Sequence, residues 1–252
     1  MRRSLAAVLL VLSAATLPAA AQQAANEESK YNACAAQARS DAEAAYDTAL
    51  TWRDAGGGAP ARHCMALALI TMGRFAEAAE QLEALAQDMH ETRPVLQGQL
   101  LGQAGQAWLR ARNAERAVAA LGGALEIDPK NIELLIDRAL AFAARGAYWE
   151  AIDDLNAAAD IEPGRAEIYA FRASAYRYVD AIELAAEDID RSLRLKPGAP
   201  IALLERGNIR RLRGDDKGAR ADWLDVLDKA PGTPAAEAAQ NNLERLDVNT
   251  QQ

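Results

Sequence analysis

The chain has 252 residues, with 36 Asp and Glu against 28 Lys and Arg and a formal net charge of −8. A net acidic chain without a basic tail speaks against nucleic-acid binding. Length alone allows one or two globular domains.

Met1-Arg2-Arg3 carries two positive charges, Leu5 to Leu17 is almost wholly apolar, and Ala19-Ala20-Ala21 sets small residues before Gln22. This is the pattern of a secretory signal peptide, residues 1–21, cleaved after Ala21. The apolar run is well short of the ~20 residues of a spanning helix. No cysteine stands at the cleavage point for a lipid anchor, and the residues around Arg2-Arg3 do not support a twin-arginine signal. A soluble product is therefore expected, with no membrane insertion after cleavage. Its Ala-rich character points to the bacterial periplasm. Loss of the two arginines takes the formal charge from −8 to −10.

Residues 22–58 read as an N-terminal helical hairpin. Tyr31 to Ala38 forms a short helix, and Ser40 with Glu43 makes a capping box for a second helix that runs to about Asp54. Ala42, Ala45, Tyr46, Ala49 and Leu50 form its apolar stripe, and Gly56-Gly57-Gly58 ends it. Ala42, Tyr46 and Ala49 repeat a spacing found further on, so the hairpin reads as a degenerate first repeat.

Cys34 and Cys64 are the only cysteines. An even count in an exported chain favours a disulfide between them. Competing readings are a metal site with His63 and a redox-active pair. The first lacks ligands, His90 being the only other histidine, and the second lacks a C-x-x-C motif. No metal and no cofactor is expected.

Residues 59–97 carry a clearer unit. Ala66, Leu69, Gly73, Phe75, Ala78, Leu82 and Leu85 share the columns of the later repeats. Its register stands further from the next unit than the later units stand from one another, by five positions (Ala78 to Ala117 against Ala117 to Ala151). The surplus falls near Gln87 to Pro94, as a longer second helix or a loop, and is either a hinge or a neutral length change.

Residues 98–233 are periodic. Pro129, Pro163, Pro197 and Pro231 are evenly spaced, each thirty-four positions beyond the last. Ala117, Ala151, Ala185 and Ala219 share a column at the same interval, as do Leu121, Leu155, Ile189 and Trp223. Small residues recur at Gly105, Ala139, Ala173 and Gly207. Trp108, Phe142 and Tyr176 form an aromatic column that Arg210 breaks. Gly146 and Gly214 mark the turn inside two units, where the others have Arg112-Asn113 and Asp180; Asn and Asp tolerate left-handed backbone better than most residues. This pattern, four units without an insertion, resembles the tetratricopeptide repeat. The resemblance implies an all-α fold, an α-solenoid of stacked antiparallel helix pairs in which neither helix buries its apolar face alone. Each proline ends a second helix by forcing the preceding residue out of helical geometry.

Arg138, Arg172 and Arg206 occupy one column, and Asp154, Asp188 and Asp222 follow sixteen positions later in each case. Both columns are alanine in the first unit, Ala104 and Ala120. Columns that change together predict an Arg–Asp ion pair within each unit, since a partly buried guanidinium needs a carboxylate. The other reading is a row of arginines for an anionic ligand. After Pro234, residues 234–252 form a capping helix with Ala235, Ala236, Ala239, Leu243 and Leu246 on one face and Glu237, Gln240, Glu244 and Arg245 on the other. A frayed tail is expected from 247 to 252.

No catalytic constellation is legible: the histidines lie far apart, and neither an elbow serine nor a glycine-rich phosphate loop occurs. The chain reads as non-enzymatic. The resemblance implies a concave face, lined by the first helix of each pair, that holds a peptide or partner protein. Helical spacing puts Leu109, Arg110, Glu133, Ile136, Leu140, Glu167, Ala170, Ser174, Arg177, Tyr178, Ile201, Leu204, Asn208, Arg211 and Leu212 on it. The candidate partner-binding set is Arg110, Ile136, Leu140, Ser174, Arg177, Tyr178, Leu204, Asn208 and Arg211. This lining suits a segment with apolar side chains and some acidic character. Ile136, Leu140 and Leu204 have a second reading, as packing against adjacent helices. The family's lysine- and asparagine-rich clamp on a terminal carboxylate is not supported, because no lysine falls on these positions. The basic stretch 205–220 orients an acidic partner or forms local ion pairs, and Trp149 is an interface anchor or an inter-repeat staple. Self-association into a homo-oligomer is the main alternative function, and a small-ligand carrier or an enzyme the remaining one.

Overall fold

In the computed structural model, residues 19–89 and 92–250 are described. The expected signal peptide therefore lies outside them up to residue 18. The chain divides between Met72 and Gly73 into two compact units, and that division falls inside the span 59–97. Among the described residues, no helix is long and apolar enough to cross a membrane.

Unit 1 contains α1 (Ala19–Ser40), α2 (Ala42–Trp52) and α3 (Gly58–Thr71), each packed on the other two. The expected short first helix is thus much longer. The expected capping box does not form: Asp41 is the cap and accepts from Ala44 N at 3.2 Å, and Ala44 at the third position has no side chain to reciprocate. Ser40 still belongs to α1, its hydroxyl donating to the Gln37 carbonyl at 3.3 Å. Cys34 and Cys64 form a disulfide, with Cα atoms 6.2 Å apart, that fastens α1 to α3. Around it Ala49 and Met65 are buried. Trp52 Nε1 donates to Glu27 at 3.2 Å, and the Tyr31 hydroxyl lies 2.8 Å from His63 Nδ1.

Unit 2 begins with α4 (Phe75–Met89) and continues through α5 (Pro94–Arg110), α6 (Ala114–Ile127), α7 (Ile132–Ala144) and α8 (Tyr148–Ile161). It ends with α9 (Ala166–Tyr178), α10 (Ile182–Leu195), α11 (Pro200–Leu212), α12 (Asp216–Lys229) and α13 (Pro234–Thr250). From α5 onward each helix packs on the next, and α5, α7, α9, α11 and α13 also touch in series. That series lines the inner face of the stack. The surplus lies mostly in a first helix, not in the longer second helix or loop expected: α5 has 17 residues where α7, α9 and α11 have 13, whereas α4 has 15 where α6 has 14. Pro94 opens α5 at the first position, where a missing N–H costs no bond.

The residues before the four prolines, Asp128, Glu162, Lys196 and Ala230, have φ between −129° and −141° and leave the helical region as predicted. Left-handed backbone closes each first helix at Arg112 (φ 58°), Gly146 (φ 77°), Asp180 (φ 61°) and Gly214 (φ 81°). In the first unit the arginine takes this conformation rather than Asn113. Asn113 instead caps α6, accepting from Arg116 N at 3.2 Å.

The small column is small because its partner is large. A Cβ on Gly207 would lie 2.7 Å from Cδ1 of Trp223, and one on Gly105 would lie 2.8 Å from Leu121 Cδ2. Leucine can swing away, whereas the indole is rigid and donates to the Leu204 carbonyl at 3.3 Å. Gly207→Ala is therefore expected to destabilise by about 1–3 kcal/mol through overpacking. Urea unfolding followed by tryptophan fluorescence measures this; a midpoint equal to wild type would refute it.

All three pairs of the Arg and Asp columns are two-point ion pairs. Arg138 donates to Asp154 at 2.8 and 2.6 Å, Arg172 to Asp188 at 2.7 and 2.7 Å, and Arg206 to Asp222 at 3.0 and 2.6 Å. In the first unit, with alanines there, Trp108 Nε1 donates to Glu83 at 2.7 Å and Arg116 stacks over the indole at 3.8 Å. Where Arg210 breaks the aromatic column it reaches Asp222 at 2.7 Å and the Gly218 carbonyl at 3.3 Å. On α13, Ala236, Ala239, Leu243 and Leu246 are buried. Helix continues to Thr250 where a frayed tail was expected, held by those leucines and by an Arg220–Asp247 ion pair.

Candidate functional site

The inner face of unit 2 carries a cavity of about 560 Å³ where α9, α11 and α13 meet. Six expected residues line it together: Ser174, Arg177, Tyr178, Leu204, Asn208 and Arg211. Leu140 opens instead into a neighbouring space of about 150 Å³, which it shares with Ser174 and Tyr178. Two of the nine lie elsewhere. Ile136 is buried in the core beside Leu135, Ala139 and Ile168, because the next first helix packs over it. Arg110 has its guanidinium 4.1 Å over the Phe75 ring.

The polar floor of the cavity is a chain of bonds. Arg177 is paired with Glu205, a carboxylate only 5% exposed. Glu205 also accepts from Asn208 Nδ2 at 3.0 Å, and Asn208 Oδ1 accepts from Asn242 Nδ2 at 2.8 Å. Burial works against the Arg177 charge, but the Glu205 carboxylate beside it more than offsets this and raises its pKa above the ordinary arginine value. The wall is aromatic. Tyr178 stacks on Tyr148 with centroids 4.5 Å apart and planes 1° apart, and Arg177 lies 4.3 Å over the Tyr178 ring. Despite this, Tyr178 is 56% exposed and Leu212, on the rim, 61%.

Sequence reasoning missed Glu205, Asn242, Arg245 and Leu246, and gave Trp223 a core position only, although it also lines this cavity. Three of these had a signal: Asn242, Arg245 and Leu246 stand one full repeat beyond Asn208, Arg211 and Leu212. The capping helix is the first helix of a further repeat. Glu205 had none, since its column reads Gln103, Asp137, Phe171, Glu205, Ala239.

A second opening of about 460 Å³ lies between α5 and α7, where amides and acids (Gln99, Gln103, Gln106, Asp128, Asn131 and Glu133) alternate with apolar residues such as Val95, Ile127 and Leu134. Beside it, burial raises the Asp137 carboxyl above its usual range despite a 2.8 Å bond from Gln106. The arginines of the basic stretch 205–220 form ion pairs: Arg206 and Arg210 with Asp222, Arg211 with Asp216, Arg213 with Glu183, Arg220 with Asp247. Trp149 is 60% exposed on the second helix of its pair.

The sequence matches no family model and no curated protein. Solved structures are similar in fold. MamA from Desulfovibrio magneticus RS-1, residues 41 to the end, superposes with a TM-score of 0.58 at 20% identity over 69% of this chain and 97% of that one. YrrB, described as a TPR protein with an unusual peptide-binding site, gives 0.59 at 20% identity over 72% and 95%. Taken with the evenly spaced columns and the helix pairs they build, these likenesses show the fold: an α-solenoid of stacked helix pairs like that of tetratricopeptide-repeat proteins.

Proposed function

We propose that this chain is a non-enzymatic scaffold, exported to the bacterial periplasm, that holds a peptide or partner protein in the groove between α9, α11 and α13. The observation that carries the reading is the cavity itself. It joins exposed Tyr178 and Leu212 to arginines and amides in one concave site. Tyrosine and arginine anchors in a partly apolar hollow are what protein interfaces use for most of their binding energy. The peptide-binding site named for YrrB lies on a solenoid of the same fold, which agrees with this use of the groove.

The test uses the exported chain as bait in a pull-down from the exported fraction of its own cells, beside a Tyr178→Ala, Arg211→Glu variant of matched helicity. A partner retained by wild type and lost by the variant is the expected result. Equal retention by both moves the site away from the groove. Retention of nothing, with concentration-dependent mass in light scattering, replaces the reading by self-association.

A further inference from the structure

Arg177, Arg211 and Arg245 form one column of the inner face, each a full repeat beyond the last. All three line the large cavity, yet they differ in what they have left to offer. The Arg177 charge is committed to Glu205, whose carboxylate is buried and holds Asn208 as well. A ligand anion that displaced Glu205 would strand a buried charge. Arg211 pairs with Asp216, and both side chains are about two-fifths exposed. Exposed pairs of this kind exchange readily. Arg245 is exposed and has no ion-pair partner among the described residues. Its helix neighbour toward the cavity, Asn242, adds an amide, and Leu212 of α11 adds an exposed apolar surface.

We infer that the groove reads acidic side chains inside an extended partner segment, with Arg211 and Arg245 as the anion contacts and an aliphatic side chain seated against Tyr178, Leu204 and Leu212. This rests on the groove being the partner site. Charge complementarity selects the chemistry. The exported chain is strongly acidic overall, but this hollow presents two available guanidinium groups. The opening between α5 and α7 presents no arginine or lysine, so acid recognition is confined to the α9–α13 end. Spacing sets the register. Neighbouring first helices pack about 8–10 Å apart, and an extended chain advances about 3.3 Å per residue. Carboxylates two residues apart point to the same face of such a chain and fit the two arginines, while the aliphatic side chain between them turns to the opposite wall of the groove.

Two short synthetic peptides test this, acetylated and amidated so that neither has a terminal charge. One carries a Ser-Glu-Leu-Glu-Ser core and the other Ser-Gln-Leu-Gln-Ser, and each is titrated with the full exported chain by fluorescence anisotropy. The glutamate peptide is expected to bind about tenfold or more tightly than the glutamine one, and less tightly as salt rises. Arg245→Glu is expected to lose about tenfold in affinity with an unchanged melting temperature, since no partner is orphaned. Arg211→Glu should lose affinity to a similar extent, although it also leaves the exposed Asp216 without its partner, and Arg194→Glu, on α10 and outside the cavity, should leave affinity unchanged. Equal affinity for both peptides, no binding of either, or wild-type affinity in both Arg211→Glu and Arg245→Glu overturns the inference. If the peptides fail while a cellular partner is still lost by the groove variant, acid recognition falls and the scaffold reading stands.

Discussion

Asp188→Ala is expected to destabilise unit 2 by about 3 kcal/mol, at the lower end of what breaking a buried ion pair costs. The carboxylate is 6% exposed and takes both of its charged bonds, 2.7 Å each, from Arg172. Its removal leaves the guanidinium with the Asn156 side-chain oxygen at 2.8 Å and the rings of Tyr169 and Tyr176. None of these carries a compensating charge. Arg172→Ala should cost at least as much, because it strands the more deeply buried partner. The pair as a whole is worth less than either deletion suggests, since desolvation of both ions offsets most of their attraction. Arg172→Met with Asp188→Leu is accordingly expected to recover most of the loss. The chain already contains an apolar version of the same site, Ala104 with Ala120. Urea midpoints of the singles and the double variant form the cycle. Single variants indistinguishable in midpoint from wild type would show that the pair adds nothing.

These pairs were legible because two columns changed together while the rest of the period held. The same logic exposed the small column against Leu121 and Trp223 and the breaks before the four prolines. Features carried by one residue in one repeat were not legible. Nothing periodic marks Glu205, and its role depends on Arg177 reaching it across 28 positions of chain. Ser40 and Asp41 are both good helix caps, and only the path of the chain decides that Asp41 takes the part. Helical spacing put Ile136 on the inner face, whereas the structure buries it in the core beside Leu135, Ala139 and Ile168. Whether an inward residue is open or covered depends on how closely the next first helix packs, which spacing does not encode. Carrying the same step past Pro231 into the capping helix would have reached Asn242 and Arg245, and with them most of the cavity.

Replacing both cysteines by serine is expected to remove about 3–4 kcal/mol from unit 1 while leaving the groove intact. The bond closes a sequence separation of 30 residues, and constraining a loop of that size in the unfolded chain has an effect of this order. The loss matters more here than in a larger core. Much of the buried surface of the three helices is alanine, at positions 38, 45, 49, 61, 66 and 68, with Met65 and Leu69 the only larger aliphatic side chains buried among the described residues of this unit. Each alanine removes little apolar area from water. The other links between these helices are the partly buried Tyr46, Leu50, Leu67 and Met72 and single polar contacts, such as Trp52 to Glu27 and Tyr31 to His63. Hydrogen exchange on the double-serine variant should show faster exchange in residues 19–71 and unchanged protection in α9, α11 and α12. Unchanged protection throughout would mean that packing alone holds the three helices. The residues lining the cavity all lie in unit 2, so affinity for the glutamate peptide should match wild type. A bond of this kind persists in an oxidising compartment and not in a reducing one. Unit 1 is therefore the part of the chain whose stability follows from the proposed export, while partner recognition does not depend on it.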